Sequence, residues 1–309
     1  MSFSVYLPIA GNAVNVFLLL GLGGLVGFLS GLFGVGGGFL MTPLLMMIGV
    51  PATIAAASDS NQIVAASASG TYAHAKAGSV DFRMGGLLLA GGLVGGSLGV
   101  FLIKLLRSAG EAGFVITATY VLMLGGVGSY MFFESLQGLR GGPRKGPADG
   151  DRRRSRLAGF LEALPLRMHF ARSNVTFSAL VPLFFGVVVG ALAAVMGVGG
   201  GFIMVPVMVY LLRMPMHVVV GTSLFQILAT CINVTILQAT VNHTVDVVLA
   251  LILLLGSVVG AQLGARFSKR LQADQLKILM SVIVLAVMVR MLLGLLLRPE
   301  VMVAYGGGH

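Results

Sequence analysis

The chain has 309 residues, of which 57% are hydrophobic and 10% charged, and its mean hydropathy is +0.99. No water-soluble domain of this size has an interior large enough for that apolar fraction, so its solvent is lipid and a soluble globular enzyme is excluded. The formal charge of +10 does not mark a nucleic-acid binder, because the cations crowd into Arg140–Arg172 instead of covering a folded face.

A membrane-spanning helix needs roughly 20 apolar residues. In chain order, the runs Val14–Phe33, Met84–Leu106, Gly113–Phe133, Phe177–Met196, Met216–Val241, Val247–Ala265 and Leu276–Leu297 approach or exceed that length. The first run has no Lys or Arg before it and lacks a small-residue cleavage site, which predicts a retained N-terminus. It ends in a glycine cluster, Gly34-Val35-Gly36-Gly37-Gly38-Phe39, followed by a short helix (Phe39–Val50). Pro51 then suits the first turn of the next helix. That helix carries Ser58-Asp59-Ser60-Asn61-Gln62, and two plain hydrophobic helices follow it.

The pattern then recurs. Gly197-Val198-Gly199-Gly200-Gly201-Phe202 repeats the first cluster at an offset of 163, and Met41-x-Pro43 returns as Met204-x-Pro206. Pro51 corresponds to Pro215, Gln62 to Gln226 and Asp81 to Asp246. Gly91-x-x-Val94-Gly95-x-x-Leu98-Gly99 corresponds to Gly256-x-x-Val259-Gly260-x-x-Leu263-Gly264. Matches at Pro, Gln and Asp in unbroken order indicate a duplication, not two merely greasy segments. The chain therefore divides into a first repeat (1–133), a basic linker (134–175) and a second repeat (176–309). The linker holds Arg140, Arg144, Lys145, Arg152, Arg153, Arg154, Arg156, Arg167 and Arg172 amid Gly and Pro, and reads as a polar cytoplasmic loop.

The cations choose between two topologies. If the first helix and the short helix form a hairpin returning to its starting side, each repeat crosses an odd number of times. The repeats are then inverted, and both termini face outside. Sixteen of the 20 Lys and Arg then face the cytoplasm and three face outside. If those two helices make one crossing, the repeats are parallel and the cluster Arg266–Lys277 is forced outside, against the positive-inside rule. The expected fold is an all-α polytopic membrane protein of two homologous, inverted repeats, each with a glycine-interrupted helical hairpin.

Hydrocarbon leaves no backbone polar group unsatisfied, so a glycine cluster between apolar helices must be buried in protein or line a cavity. Broken helices in transporters aim half-helix N-termini at anionic groups near the bilayer midplane. The amides of Gly36, Gly37, Gly38, Gly199, Gly200 and Gly201 are therefore the first expected anion ligands, against the alternative that these glycines only permit tight turns. Gln62 and Gln226 are equivalent by repeat, and their amide donors suit a sulfonyl or carboxylate oxygen. Thr222 and Ser223 stand on the same helix as Gln226. Asp59, an acid within a predicted span, is a candidate for proton or ion coupling together with Asn61. Asp81 and Asp246 recur at helix starts, as N-caps do.

No cofactor is expected, because neither a strand context nor a Gly-Lys-Ser/Thr ending accompanies the glycines. No metal is expected either, since His74, His217 and His243 lack ligand spacing. The single cysteine, Cys231, forms no intrachain disulfide. The flat, glycine-rich face Gly85–Gly99 suits either a second copy of the chain, giving a homodimer, or another helix of the same chain.

The residues Gly31–Phe39, the second copy Met196–Pro206, and Val220-Gly-Thr-Ser-Leu-Phe-Gln226 resemble the TauE/SafE family of sulfite and sulfonate exporters over nearly the whole chain outside the linker. The resemblance implies a transporter of sulfite, sulfoacetate or similar anions in the bacterial cytoplasmic membrane. Where the second repeat has Gly-Thr-Ser-Leu, the first has Ala57-Ser58-Asp59-Ser60, so the two repeats need not contact a substrate equally. The expected partners are thus a small anion and the lipid bilayer. The alternatives are a passive anion channel, a transporter of another organic anion, and a membrane-embedded enzyme, for which no nucleophile–base pair is visible.

Overall fold

The computed structural model describes residues 4–33, 38–139, 166–170, 172–173, 175–212, 214–268 and 273–297. The residues Gly36 and Gly37 and most of the linker lie outside that set. The first repeat runs β1 (Ser4–Leu7), β2 (Asn12–Asn15), α1 (Val16–Phe33), α2 (Gly38–Met47), α3 (Ala52–Lys76), α4 (Phe82–Ser108) and α5 (Ala112–Leu139). The second runs β3 (Arg167–Phe170), β4 (Val175–Ser178), α6 (Leu180–Met196), α7 (Gly201–Pro206, continued by a wider turn to Leu211), α8 (Met216–Leu237, continued likewise to Asn242), α9 (Val247–Ser268) and α10 (Ala273–Leu297).

Two features differ from an all-α expectation. Each repeat opens with a two-stranded antiparallel hairpin, and the two hairpins sit 163 residues apart, the spacing of the glycine clusters. Helix α5 runs on to Leu139, and β3 with the first residue of β4 falls before residue 176, so ordered elements enter both ends of the stretch read as linker.

Among the described residues, five helices are long and apolar enough to cross a membrane: Phe82–Ser108, Ala112–Tyr130, Val218–Asn242, Val247–Gly264 and Ile278–Leu296. At 27 residues, α4 is roughly 40 Å long. Helix α3 is as long as these but polar in its middle, and it buries Ser58, Asp59, Ser60 and Gln62 in protein instead of showing them to lipid.

Glycine decides which helices touch. Gly91, Gly95 and Gly99 of α4 lie against the backbone of Leu183, Val187 and Ala191 of α6, and Gly186 and Gly190 answer from α6. The equivalent pair α1 and α9 packs the same way, with Gly23 and Gly27 against Leu253 and Ser257, and Gly256 and Gly260 against Leu20 and Gly24. Without side chains these backbones approach closely, which in lipid substitutes for the missing hydrophobic drive. The glycines read as either a dimer seam or an internal seam are thus used within one chain. Two other contacts join equivalents directly. Gly125 and Gly128 of α5 face Met288 and Val284 of α10, and Gly70 and His74 of α3 face Leu224 and Gly221 of α8, so each of these pairs runs antiparallel.

Reciprocal hydrogen bonds tie the repeats together at two ends of the bundle. At one end, Asp81 caps α4 by accepting from Met84 N at 3.1 Å, and its other oxygen accepts from Ser173 N (3.3 Å) and Ser173 Oγ (2.6 Å) in the β3–β4 turn. At the other, Asp246 accepts from Leu249 N at 3.1 Å, and its other oxygen accepts from Ile9 N at 3.1 Å in the β1–β2 turn. Both aspartates are N-caps, and each also docks the hairpin of the opposite repeat. The Asp81 N–H donates to Thr222 Oγ1 at 3.0 Å, and the Asp246 N–H donates to Ser58 Oγ at 3.1 Å. Asn12 Nδ2 donates to Gly49 O at 2.9 Å, so the start of α1 and the end of α2 lie together.

Candidate functional site

The break after α6 is built by backbone conformation that only glycine holds cheaply. Gly197, Gly199 and Gly200 all have left-handed φ, at +74°, +71° and +79°. A Cβ on Gly197 would collide with the Ala56 carbonyl of α3, and one on Gly199 would stand 2.8 Å from Cys231 Sγ and 2.9 Å from Ile227. Gly200 precedes α7, whose first backbone bonds run from Ile203 N and Met204 N to Gly200 O, leaving the amides of Gly201 and Phe202 at the open helix start.

The two breaks meet. A Cβ on Gly38, the described end of the first cluster, would lie 3.3 Å from Val198 Cα. Phe39 and Phe202, equivalent at an offset of 163, stack with centroids 4.8 Å apart. Ile63 and Ile227, equivalent at 164, pack together with Cys231. Both self-equivalent contacts lie where a twofold relating the repeats would pass. Gln62 and Gln226 each stand one residue before that isoleucine pair, and both are buried with an unpartnered Oε1. Gln226 Nε2 donates to Thr230 Oγ1 at 3.0 Å. Turning that amide by 180° lets the Thr230 hydroxyl donate instead and frees the NH₂ as a donor.

The other sequence-selected residues divide. Thr222 is fully buried and its Oγ1 accepts from the Asp81 N–H, which leaves its proton to donate, while Ser223 Oγ donates to Val220 O at 3.0 Å. Asn61 is partly exposed. Asp59 is fully buried; its Oδ2 accepts from Thr42 Oγ1 at 2.9 Å and its Oδ1 has no partner. Sequence reasoning passed over Thr42, the one polar side chain of α2, and Tyr120, which follows Thr117 and Thr119 in an otherwise apolar run. Tyr120, fully buried, donates its hydroxyl to the Met196 carbonyl at the edge of the second break, and Ser60 Oγ reaches the Gly197 carbonyl at 3.3 Å. In this conformation the second break is enclosed by Ile63, Ile227, Cys231 and Val189. A cavity of about 480 Å³ lies at the end of the bundle, lined by Met46, Gly49, Pro51, Thr53 and Arg107 among others. Thr53 is six residues before Asp59 on α3, roughly 9 Å along the helix. Among the described residues, no group of three or more His, Cys, Asp or Glu side chains could hold a metal ion.

The sequence pattern of the family described as "Sulfite exporter TauE/SafE" matches residues 19–291. The chain belongs to the TauE/SafE family. It is a membrane transporter of that family, and the matched span includes both breaks, both glutamines and Asp59. Over 215 residues this TauE/SafE chain is 30% identical to a "Probable membrane transporter protein" of Xylella fastidiosa (strain 9a5c), a stretch covering 69% of this chain and 70% of the relative. Over 112 residues it is 32% identical to the "Probable membrane transporter protein YunE" of Bacillus subtilis (strain 168), covering 36% of this chain and 39% of that protein. No solved structure matches it.

Proposed function

We propose that the chain is a secondary transporter that exports a small sulfur oxyanion or organosulfonate, such as sulfite or sulfoacetate, across the bacterial cytoplasmic membrane by alternating access. The observation that carries this reading is the meeting of the two breaks at the self-equivalent pairs Phe39–Phe202 and Ile63–Ile227, with Gln62 and Gln226 beside them. A transporter that exposes one central site alternately to two sides needs two half-sites related by a twofold lying in the membrane plane. The antiparallel pairs α5/α10 and α3/α8 support such an inverted arrangement, as does the return of the α1–α2 hairpin to its starting end. The basic linker then faces the cytoplasm and both termini face outside.

The anion is held by the amides of Gly36–Gly38 and Gly199–Gly201 and by the side-chain amides of Gln62 and Gln226. Thr222 Oγ1 accepts from the Asp81 N–H and keeps its own proton to donate to the anion, whereas Ser223 gives its proton to Val220 O and positions α8. The enclosed break is the occluded stage of the cycle, and the cavity beside Arg107 is the outer vestibule, whose cation draws anions. Nothing in the chain resembles an ATPase, and a negative interior favours anion exit by roughly 2.3 kcal/mol per charge per 100 mV.

The test is sulfite efflux from vesicles reconstituted with the purified chain. Saturable efflux that accelerates when unlabelled sulfite is present outside fits alternating access. Non-saturating flux at channel rates, or none for sulfite, thiosulfate and sulfoacetate alike, removes the reading.

A further inference from the structure

We propose that Asp59 is a proton-binding site and that the anion travels together with one proton, an inference that rests on the transport function proposed above. Asp59 is 0% exposed; one carboxyl oxygen accepts from Thr42 Oγ1 at 2.9 Å and the other has no partner. Among the described residues, the titratable groups within its electrostatic reach are Tyr120 on α5 and Cys231 on α8, and the Tyr120 hydroxyl is committed to the Met196 carbonyl. Among the described residues no Lys, Arg or His pairs with it. An ionised carboxylate in so dry a place needs a counter-charge or a proton.

Geometry favours the proton over a metal cation. A hard divalent ion takes about six oxygen ligands or more, whereas Asp59 and Thr42 supply two side chains here. A proton needs one oxygen, and Oδ1 is free. The site belongs to one repeat alone, because the positions equivalent to Thr42 and Asp59 hold Val205 and Ser223. One chain therefore carries one proton per cycle.

Coupling follows from placement. Asp59 precedes Gln62 by three residues on α3, which puts both on one helix face. An anion beside Gln62 and Gln226 is repelled by the Asp59 carboxylate and not by its neutral acid. A proton from water adds to Oδ1 before the anion is enclosed. The O–H bond breaks when the site opens to the other side, and the proton returns to water there. Each cycle moves the anion's charge plus one.

Two measurements test this. In infrared spectra of the purified protein at neutral pH, the C=O band of a protonated carboxylic acid is expected, and it disappears in Asp59→Asn and in Asp59→Ser, the latter supplying the residue that the second repeat itself uses. Absence of the band, or a band indifferent to both substitutions, overturns the proposal. In vesicles containing a pH dye, wild-type sulfoacetate flux is expected to carry protons and to fall by about tenfold per pH unit on the alkaline side, and both variants lose that dependence. Wild-type flux without proton movement also overturns it. A chain that shows the band yet moves none of sulfite, thiosulfate and sulfoacetate removes the transport reading and co-transport with it, and leaves the proton site standing.

Discussion

Replacing Gln226 with leucine separates stability from transport. The Gln226 amide makes one hydrogen bond, Nε2 to Thr230 Oγ1 at 3.0 Å, while its buried Oε1 makes none. Losing the bond costs about 1 kcal/mol, and removing an unsatisfied buried carbonyl returns about 1–3 kcal/mol. Leucine is close in volume and keeps the side chain against Gly92, where a Cβ would lie 3.0 Å from Nε2. Gln226→Leu is therefore expected to unfold in detergent at the wild-type temperature or above it. Transport moves the other way, because a hydrogen bond to a charged ligand contributes about 1.5–3 kcal/mol. Sulfite should bind roughly ten- to a hundredfold more weakly. Thermal unfolding of the purified variant, read beside initial efflux rates in vesicles, checks both signs at once. A large drop in unfolding temperature with a parallel loss of transport would make the amide structural, and an unchanged rate at low sulfite would remove it from the site.

Asp81→Ala removes the acceptor for Met84 N, Ser173 N and Ser173 Oγ, and is expected to lower stability by about 2–4 kcal/mol; Asp246→Ala, which loses Leu249 N and Ile9 N, should unfold at a similar temperature in the same thermal assay. Gly95→Leu drives a side chain into the Val187 backbone and is expected to abolish monodisperse protein on size-exclusion chromatography, whereas Gly86→Ala, with open space at its Cβ, elutes as wild type. Cys231, the single thiol, lies buried against Gly199 and should react with a small maleimide far more slowly than a free thiol, and more slowly still with sulfoacetate present; labelling at the free-thiol rate would show that the break stands open.

Much of this architecture is legible in the sequence because lipid punishes ambiguity: apolar runs must be helices, and glycine clusters between them must be breaks. The duplication at an offset of 163 made the second repeat a reading of the first, and the N-cap role of Asp81 and Asp246 followed from their place before apolar runs. What stayed hidden depends on partners that spacing cannot name. Gly91, Gly95 and Gly99 announce a close helix without saying whose, and the structure assigns them to α6. Thr222 reads as a polar residue in a span, and only the folded chain shows its oxygen accepting from the Asp81 N–H. The hairpins Ser4–Asn15 and Arg167–Ser178 have four-residue strands, too short for alternation to register, and the second was masked by the charges around it. Thr42 and Tyr120 become notable only when Asp59 and Met196 are brought beside them.

The central claim is that the anion sits where the two interrupted hairpins meet. Density for a bound selenite or sulfoacetate, obtained by electron cryomicroscopy of the chain held with that anion, addresses it most directly. The account predicts the anion between Gln62 and Gln226, against the amides of Gly199–Gly201. An anion found only beside Arg107, with the breaks still closed by Ile63 and Ile227 under saturating ligand, would contradict it.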